Sequence, residues 1–293
     1  MSRHQVWILV EGILDRSFYG QLCDNNRLLS NHTYQIALAK ELPGSLADGK
    51  QNLLSLYRYL RGRKTLINTL SGEKTLVCFM LDKDIDDFER TKARSPHVVY
   101  TEYYSVENYV FRYGALSSAL ASAACLDIGG IRKEVGIDSI TWTRRAAEKW
   151  RPFVKYCLLV RKLRIKNARN YGVRSSPMHS EAYSPCNKTK RDRLLINAMK
   201  DSGLSESIFT IALEQVERCV DKLYSQGKHD TIFNGKWYAK FLAEDARKVA
   251  GSRKYSHANI EERLIACLLV TLDFSDPWTG YFHRALNELI KML

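Results

Sequence analysis

The chain has 293 residues, 45 Lys and Arg against 32 Asp and Glu for a formal net charge of +13, and 45% hydrophobic residues. That balance excludes a disordered, collagenous or low-complexity chain and leaves room for about two domains of ordinary size. Its apolar runs, such as residues 6–10, 76–81 and 267–272, are far shorter than the roughly 18 residues a membrane span needs, so no membrane partner is expected.

Glu11 ends the first apolar run and no small-residue cleavage site follows, which argues against a signal peptide and leads to the expectation of a cytoplasmic protein. The seven cysteines are odd in number and scattered, with no C-x-x-C pair, so reduced thiols are expected.

In chain order, residues 6–10 read as a buried strand, 14–23 as an amphipathic helix, 34–39 as a second strand and 52–60 as a second helix. Residues 75–81 form a third strand, apolar on both faces, and 97–103 a fourth. Strands alternating with helices predict a mostly parallel sheet flanked by helices, an α/β domain over residues 1–113. Beyond Ser105, apolar residues recur at three- and four-residue spacing in 106–111, 115–125, 140–165, 208–223, 237–249, 260–272 and 281–292. This predicts a mainly α-helical accessory domain over residues 114–293. Residues 167–192 lack periodicity and are rich in Ser, Asn, Lys and Arg, so they read as a long loop or partly disordered insert.

The charge is uneven. Residues 1–125 hold 15 basic and 13 acidic side chains, the remainder 30 and 19. Within residues 144–193, fifteen Lys and Arg face only Glu148, Glu181 and Asp192. Arg144, Arg145, Arg151, Arg161, Lys162, Arg164 and Lys166 fall on or just beyond a long helical pattern interleaved with Trp150, Phe153 and Tyr156. Such a helix can lay a positive face along a phosphate backbone, with aromatics available to stack on bases. The alternative is a solvated face whose aromatics are core, which suits Phe153 and Tyr156.

In an open parallel sheet, ligands bind beyond the carboxyl ends of the strands. The first strand runs into Glu11-Gly12, and the third ends in Asp82-Lys83-Asp84 followed by Ile85-Asp86-Asp87. At strand spacing Asp82 and Asp84 share a side, Asp86 continues the i, i+2 series, and hard cations such as magnesium prefer these oxygens. The plainer reading is that turns are polar and Asp suits them. Two acidic strand ends in one α/β unit favour a site. Lys83 is positioned in sequence to neutralise developing charge there or to point away.

The stretch Val10-Glu11-Gly12-Ile13-Leu14-Asp15, followed by Asp82-Lys83-Asp84, resembles the Toprim domain of topoisomerases, bacterial primases and OLD-type nucleases. Ser105-Val106-Glu107-Asn108-Tyr109, Gly49-Lys50-Gln51-Asn52 and Gly235-Lys236 more narrowly resemble a Toprim nuclease family of anti-phage defence. Its relatives include effector subunits of the phage anti-restriction-induced system, PARIS, which work beside an ABC-type ATPase. The resemblance covers residues 1–110 well and the helical remainder loosely. It implies a Toprim-like fold, Glu11 as acid/base or metal-binding glutamate, Asp82 and Asp84 as metal ligands, and Glu107 as a further carboxylate on the rim. It also implies magnesium, or manganese in its place, as cofactor. The activity implied is that of an endoribonuclease cutting transfer RNA, a toxic effector of abortive infection that the ATPase holds inactive and that acts as a homodimer.

Two other classes stay open: a catalytically silent nucleic-acid- or partner-binding module, and a primase-type nucleotidyltransferase. Gly44 and Gly49-Lys50 satisfy the P-loop spacing, but Gln51 stands where Ser or Thr must hold magnesium, which rejects an intrinsic ATPase and leaves Lys50 a phosphate contact or a solvated turn residue. Neither a zinc spacing of His and Cys nor a G-x-S-x-G is present.

Overall fold

The structure, a computed structural model, describes residues 5–27, 29, 32–42, 47, 49–70, 72–136, 138–251 and 259–293. Gly44 of the P-loop-like spacing lies outside the described residues. They divide into two compact units that interleave along the chain, Met1–Lys83 with Thr91–Glu102 and Asp273–Leu293, and Asp84–Arg90 with Tyr103–Leu272. No single cut, after residue 113 or elsewhere, separates them.

The first unit is the expected α/β sheet. β1 (Gln5–Val10) runs parallel to β2 (Thr33–Leu38) on one side and to β4 (Glu73–Leu81) on the other. β5 (Val98–Tyr100) pairs parallel with the C-terminal end of β4. β3 (Ile67–Leu70) pairs antiparallel with the N-terminal end of β4, and Gly72 between them takes φ +84°, the left-handed conformation of a tight turn. Four residues, two of them polar, give β3 no readable period, which is why the sequence does not announce it.

α1 (Ile13–Asp24) joins β1 to β2, and α2 (Lys50–Gly62) follows β2. Leu53, Leu54 and Tyr57 of α2 pack on Leu9, Phe79, Leu81 and Val98, so one pleat face of the sheet is closed by an apolar helix face. The last helix, numbered α12 below (Gly280–Ile290), belongs with this sheet and not with the helical region that precedes it. Phe274 and Phe282 meet the ring of Phe18 of α1 edge-on at centroid distances of 5.4 and 5.9 Å, an aromatic cluster that ties the segment down.

The second unit is helical: α3 (Asp86–Glu89), α4 (Val106–Tyr113), α5 (Leu116–Ala124), α6 (Ile128–Val135), α7 (Ser139–Lys162), α8 (Lys188–Ser202), α9 (Glu206–Ser225), α10 (Tyr238–Ala250) and α11 (Ile260–Leu269). Asp138 caps α7 by accepting from the Ile140 and Thr141 amides, both at 3.0 Å. Trp142, Trp150, Phe153 and Cys157 of α7 are fully buried, so this is a core helix. α6 escapes sequence reading because two adjacent glycines weaken its helical signal, and α8 because only Ala198 on it is buried.

Residues 163–187 contain no helix or strand, yet they are packed and not a loose insert. Trp150 Nε1 donates to Ala182 O at 2.9 Å, Trp237 Nε1 to Val173 O at 2.8 Å, and the Tyr171 ring stacks on Trp237 at 5.5 Å. Among the described residues no helix is long and apolar enough to cross a membrane.

Asp230 is the polar centre of the second unit. It accepts from Arg112 Nη1 at 2.8 Å, Tyr238 OH at 2.7 Å and Asn108 Nδ2 at 3.2 Å. Its neighbour His229 is buried with neither ring nitrogen hydrogen-bonded among the described residues, and burial lowers its pKa. The folded chain therefore holds His229 neutral while the unfolded chain takes up a proton near pH 6.5. Stability is complete above about pH 7 and falls as the pH drops through 6.5 toward the lowered folded value, by at most about 1.4 kcal/mol per pH unit for this group. Replacing it, His229→Leu, is expected to make the urea midpoint less sensitive to pH between about 7 and 5; an unaltered slope would contradict the assignment.

Candidate active site

Because β1 and β4 are parallel neighbours, with Val10 opposite Met80, their carboxyl ends emerge together. From β1 the chain passes through α1 to β2 on one side, then crosses to β4 on the other, so the direction of winding reverses between β1 and β4. Open α/β sheets take ligands in the crevice at such a reversal. Glu11 and Asp82 are the residues that leave the strands at this point.

Glu11 Oε1 accepts a 2.8 Å hydrogen bond from the backbone N–H of Asp82, 71 residues away. A carboxylate acceptor makes this stronger than a neutral pair. On the other flank, Lys83 N–H donates to Thr101 Oγ1 at 2.8 Å, and Thr101 N–H to Leu81 O at 2.9 Å. The turn after β4 is thus held by β1 through Glu11 and by the end of β5 through Thr101. Sequence reading passed over Thr101, whose only signal is a hydroxyl at a strand end. Gly12 N–H donates to Asp15 Oδ2 at 2.9 Å and starts α1 directly behind Glu11.

The remaining candidates sit differently from expectation. Lys83 is buried and its ammonium donates to the Glu102 carbonyl. Asp84 and Asp86 belong to the second unit. Asp84 has φ +50° and donates its N–H to Tyr104 O at 2.7 Å, and Asp86 begins α3. The i, i+2 series therefore stops after Asp82, because side chains alternate only while the backbone stays extended. Glu107, in the first turn of α4, is buried with Oε1 3.8 Å from Lys236 Nζ, while Oε2 has no hydrogen-bond partner among the described residues. Gly235 permits this approach: a Cβ there would lie 2.6 Å from Asn108 N.

Among the described residues, no group of three or more His, Cys, Asp or Glu side chains is placed to hold a metal ion. Magnesium does not require one, since it commonly takes one or two protein carboxylates and completes its shell with water and phosphate oxygens. The oxygen donors of Glu11 and Asp82 fit that ion's chemistry.

The basic helix is also corrected. Trp150, Phe153 and Tyr156 are all core residues, so none offers an exposed face for base stacking. Arg151 and Lys155 are bound by Asp221 at 2.7 and 2.9 Å, and Arg161 forms a fork with both oxygens of Glu89. Lys162 donates to Gln215. Arg145 lies over the Tyr183 ring. Arg144, Arg164 and Lys166 are exposed and make no ion pair among the described residues. Lys50 is the first residue of α2 and half-buried.

No protein-family model matches the chain, and no curated protein matches it.

Thr101→Val keeps shape but leaves the buried Lys83 N–H without its acceptor, which is expected to cost about 1–3 kcal/mol of stability in urea denaturation. Wild-type stability in that variant would show that Thr101 does not hold the turn.

Proposed function

We propose that the chain is a magnesium-dependent nuclease whose reactive centre is built on Glu11 and Asp82. The observation that carries this reading is the Glu11–Asp82 hydrogen bond at the point where the sheet reverses its winding. Two acidic residues drawn together there put negative charge where an α/β sheet meets its ligands. Polar turns alone do not need a carboxylate from a distant strand.

In this reading Glu11 and Asp82 hold magnesium or manganese, which when bound supplies a Lewis acid at the scissile phosphate. Glu11, oriented by the Asp82 amide, accepts the proton of the attacking water. Thr101 keeps Asp82 in place by fixing the peptide that follows it. The exposed cations of the second unit hold the polyanion. The Toprim resemblance extends the reading to a cytoplasmic effector of anti-phage defence that cuts transfer RNA, works as a homodimer and is restrained by an ABC-type ATPase. It also gives Asp84, Asp86 and Glu107 supporting roles.

The test is expression of the wild-type chain, Glu11→Gln, Asp82→Asn and Asp84→Asn, with sequencing of the cellular RNA and DNA ends that each generates, followed by the same comparison on purified protein with and without a chelator. Both Glu11→Gln and Asp82→Asn are expected to lower cleavage by at least about 100-fold, and chelation to abolish it. Cleavage that survives both substitutions would sink the reading. New strands made from nucleotides and a template would favour a nucleotidyltransferase.

A further inference from the structure

In the second unit, α7, α8, α9 and the packed loop before α8 line an open cavity of about 390 Å³. Pro152, Tyr156, Met178, Leu195 and Leu213 form its apolar walls. Tyr156 is only 3% exposed, yet its hydroxyl has no hydrogen-bond partner among the described residues. Burial pushes its phenol up to about 12, so it keeps its proton and remains a donor. Glu217 also lines the cavity and makes no ion pair or hydrogen bond through its carboxylate among the described residues, whereas Arg151 and Lys155 beside it are bound by Asp221. Apolar walls that include the Tyr156 ring, with an unengaged phenol and carboxylate, suit a heterocycle that stacks and both accepts and donates hydrogen bonds.

The surroundings indicate what carries that heterocycle. From residue 164 to residue 190, Arg164, Lys166, Arg169, Arg174, Lys188 and Lys190 face a single carboxylate, Glu181. All six cations are exposed and none is ion-paired among the described residues. Lys188, Arg191 and Leu195 recur at three- and four-residue spacing on α8, and the latter two line the cavity, so Lys188 stands on the same helix face. The first turn of α8 has no acidic residue, and its cations add to the positive end of the helix instead of opposing it. An anion relieves that repulsion.

The cationic loop is also held firmly. His179 Nε2 donates to Lys149 O at 3.0 Å and accepts at Nδ1 from Ser176 Oγ at 2.7 Å, and Tyr183 OH donates to Asp245 at 2.8 Å. Ile196 on α8 and Ile208 and Ile211 on α9 are exposed, but among the described residues from 164 to 190, where the cations lie, no large apolar side chain is. A protein partner would look for such anchors, whereas a phosphate backbone needs only cations and polar groups.

We propose that the α7–α8–α9 cavity receives an unpaired base of a single-stranded nucleic acid whose phosphates lie along the cations between Arg164 and Lys190. The inference shares its nucleic-acid partner with the nuclease reading but does not depend on the carboxylate chemistry.

Fluorescence anisotropy tests it, using wild-type chain in a chelator with labelled single-stranded homopolymers of RNA and DNA, duplex RNA, polyglutamate and nucleoside monophosphates as competitors. Leu213→Trp fills the cavity, and Leu195→Trp does so from the opposite wall if the first variant does not fold. Single strands are expected to bind more tightly than duplex, and filling the cavity to weaken them about 10-fold without changing the dependence on salt. Lys188→Glu with Lys190→Glu is expected to weaken all nucleic acids and reduce the slope of log K against log salt by about 0.7 for each cation removed. The inference is overturned by unchanged single-strand affinity in a folded cavity-filled variant, by monophosphates that compete as well as strands, or by polyglutamate binding equally well. Strand binding that persists in Glu11→Gln with no cleavage by any form would defeat the nuclease reading and leave the cavity standing. Cleavage indifferent to Leu213→Trp would do the reverse.

Discussion

Parallel pairing of β1 with β4 brings two acidic segments to one end of the sheet, and a backbone amide decides how they meet. Once Val10 stands opposite Met80, Glu11 and Asp82 leave their strands side by side. A carboxylate in that position needs a donor. The Asp82 N–H supplies it to Glu11, so the sheet's hydrogen-bonding continues past the last strand residue through a side chain. Thr101 does the same from the other flank for the next peptide. The proposed chemistry requires this turn to stay fixed, since a misplaced carboxylate loses most of its use to a reacting group.

The α/β class, the helical region and the shared sheet end of Glu11 and Asp82 were legible in the sequence because each rests on strong local signals. β1 and β4 are dense apolar runs, and the acidic residues that end them are adjacent in the chain to what they terminate. The i, i+2 spacing expected for Asp84 and Asp86 does not hold because a period of two was extended past the end of β4, where Asp84 takes a left-handed conformation and Asp86 begins α3. Lys83 illustrates the same limit, since only tertiary structure shows that the Glu102 carbonyl claims its ammonium. The membership of α12 in the sheet unit depends on ring contacts with Phe18 that no local pattern encodes.

Charge is where composition and structure diverge most. The excess of Lys and Arg between residues 144 and 193 is real, but α7 spends much of it internally, on Asp221 and Glu89, while burying its aromatic residues. Besides Arg144 and Lys149 on α7, cations without an ion pair among the described residues lie in the loop that follows and at the start of α8. That loop lacks periodicity because it is held by scattered contacts, some within itself such as Asn187 N–H to Met178 O and others to Trp150, Trp237 and Asn234, and not by a regular backbone ladder. Aperiodic sequence here means tertiary packing, and a firmly held loop presents its charges in a defined arrangement.

Whether Glu11 and Asp82 together grip a hard cation is tested most directly by calorimetric titration of magnesium and manganese into the wild-type chain, Glu11→Gln and Asp82→Asn, each first shown to be folded by circular dichroism. Saturable binding by the wild type and a loss of roughly 10- to 100-fold or more in each variant is the expected result. Equal affinity in all three proteins, or no binding by the wild type even with nucleic acid present, would contradict it.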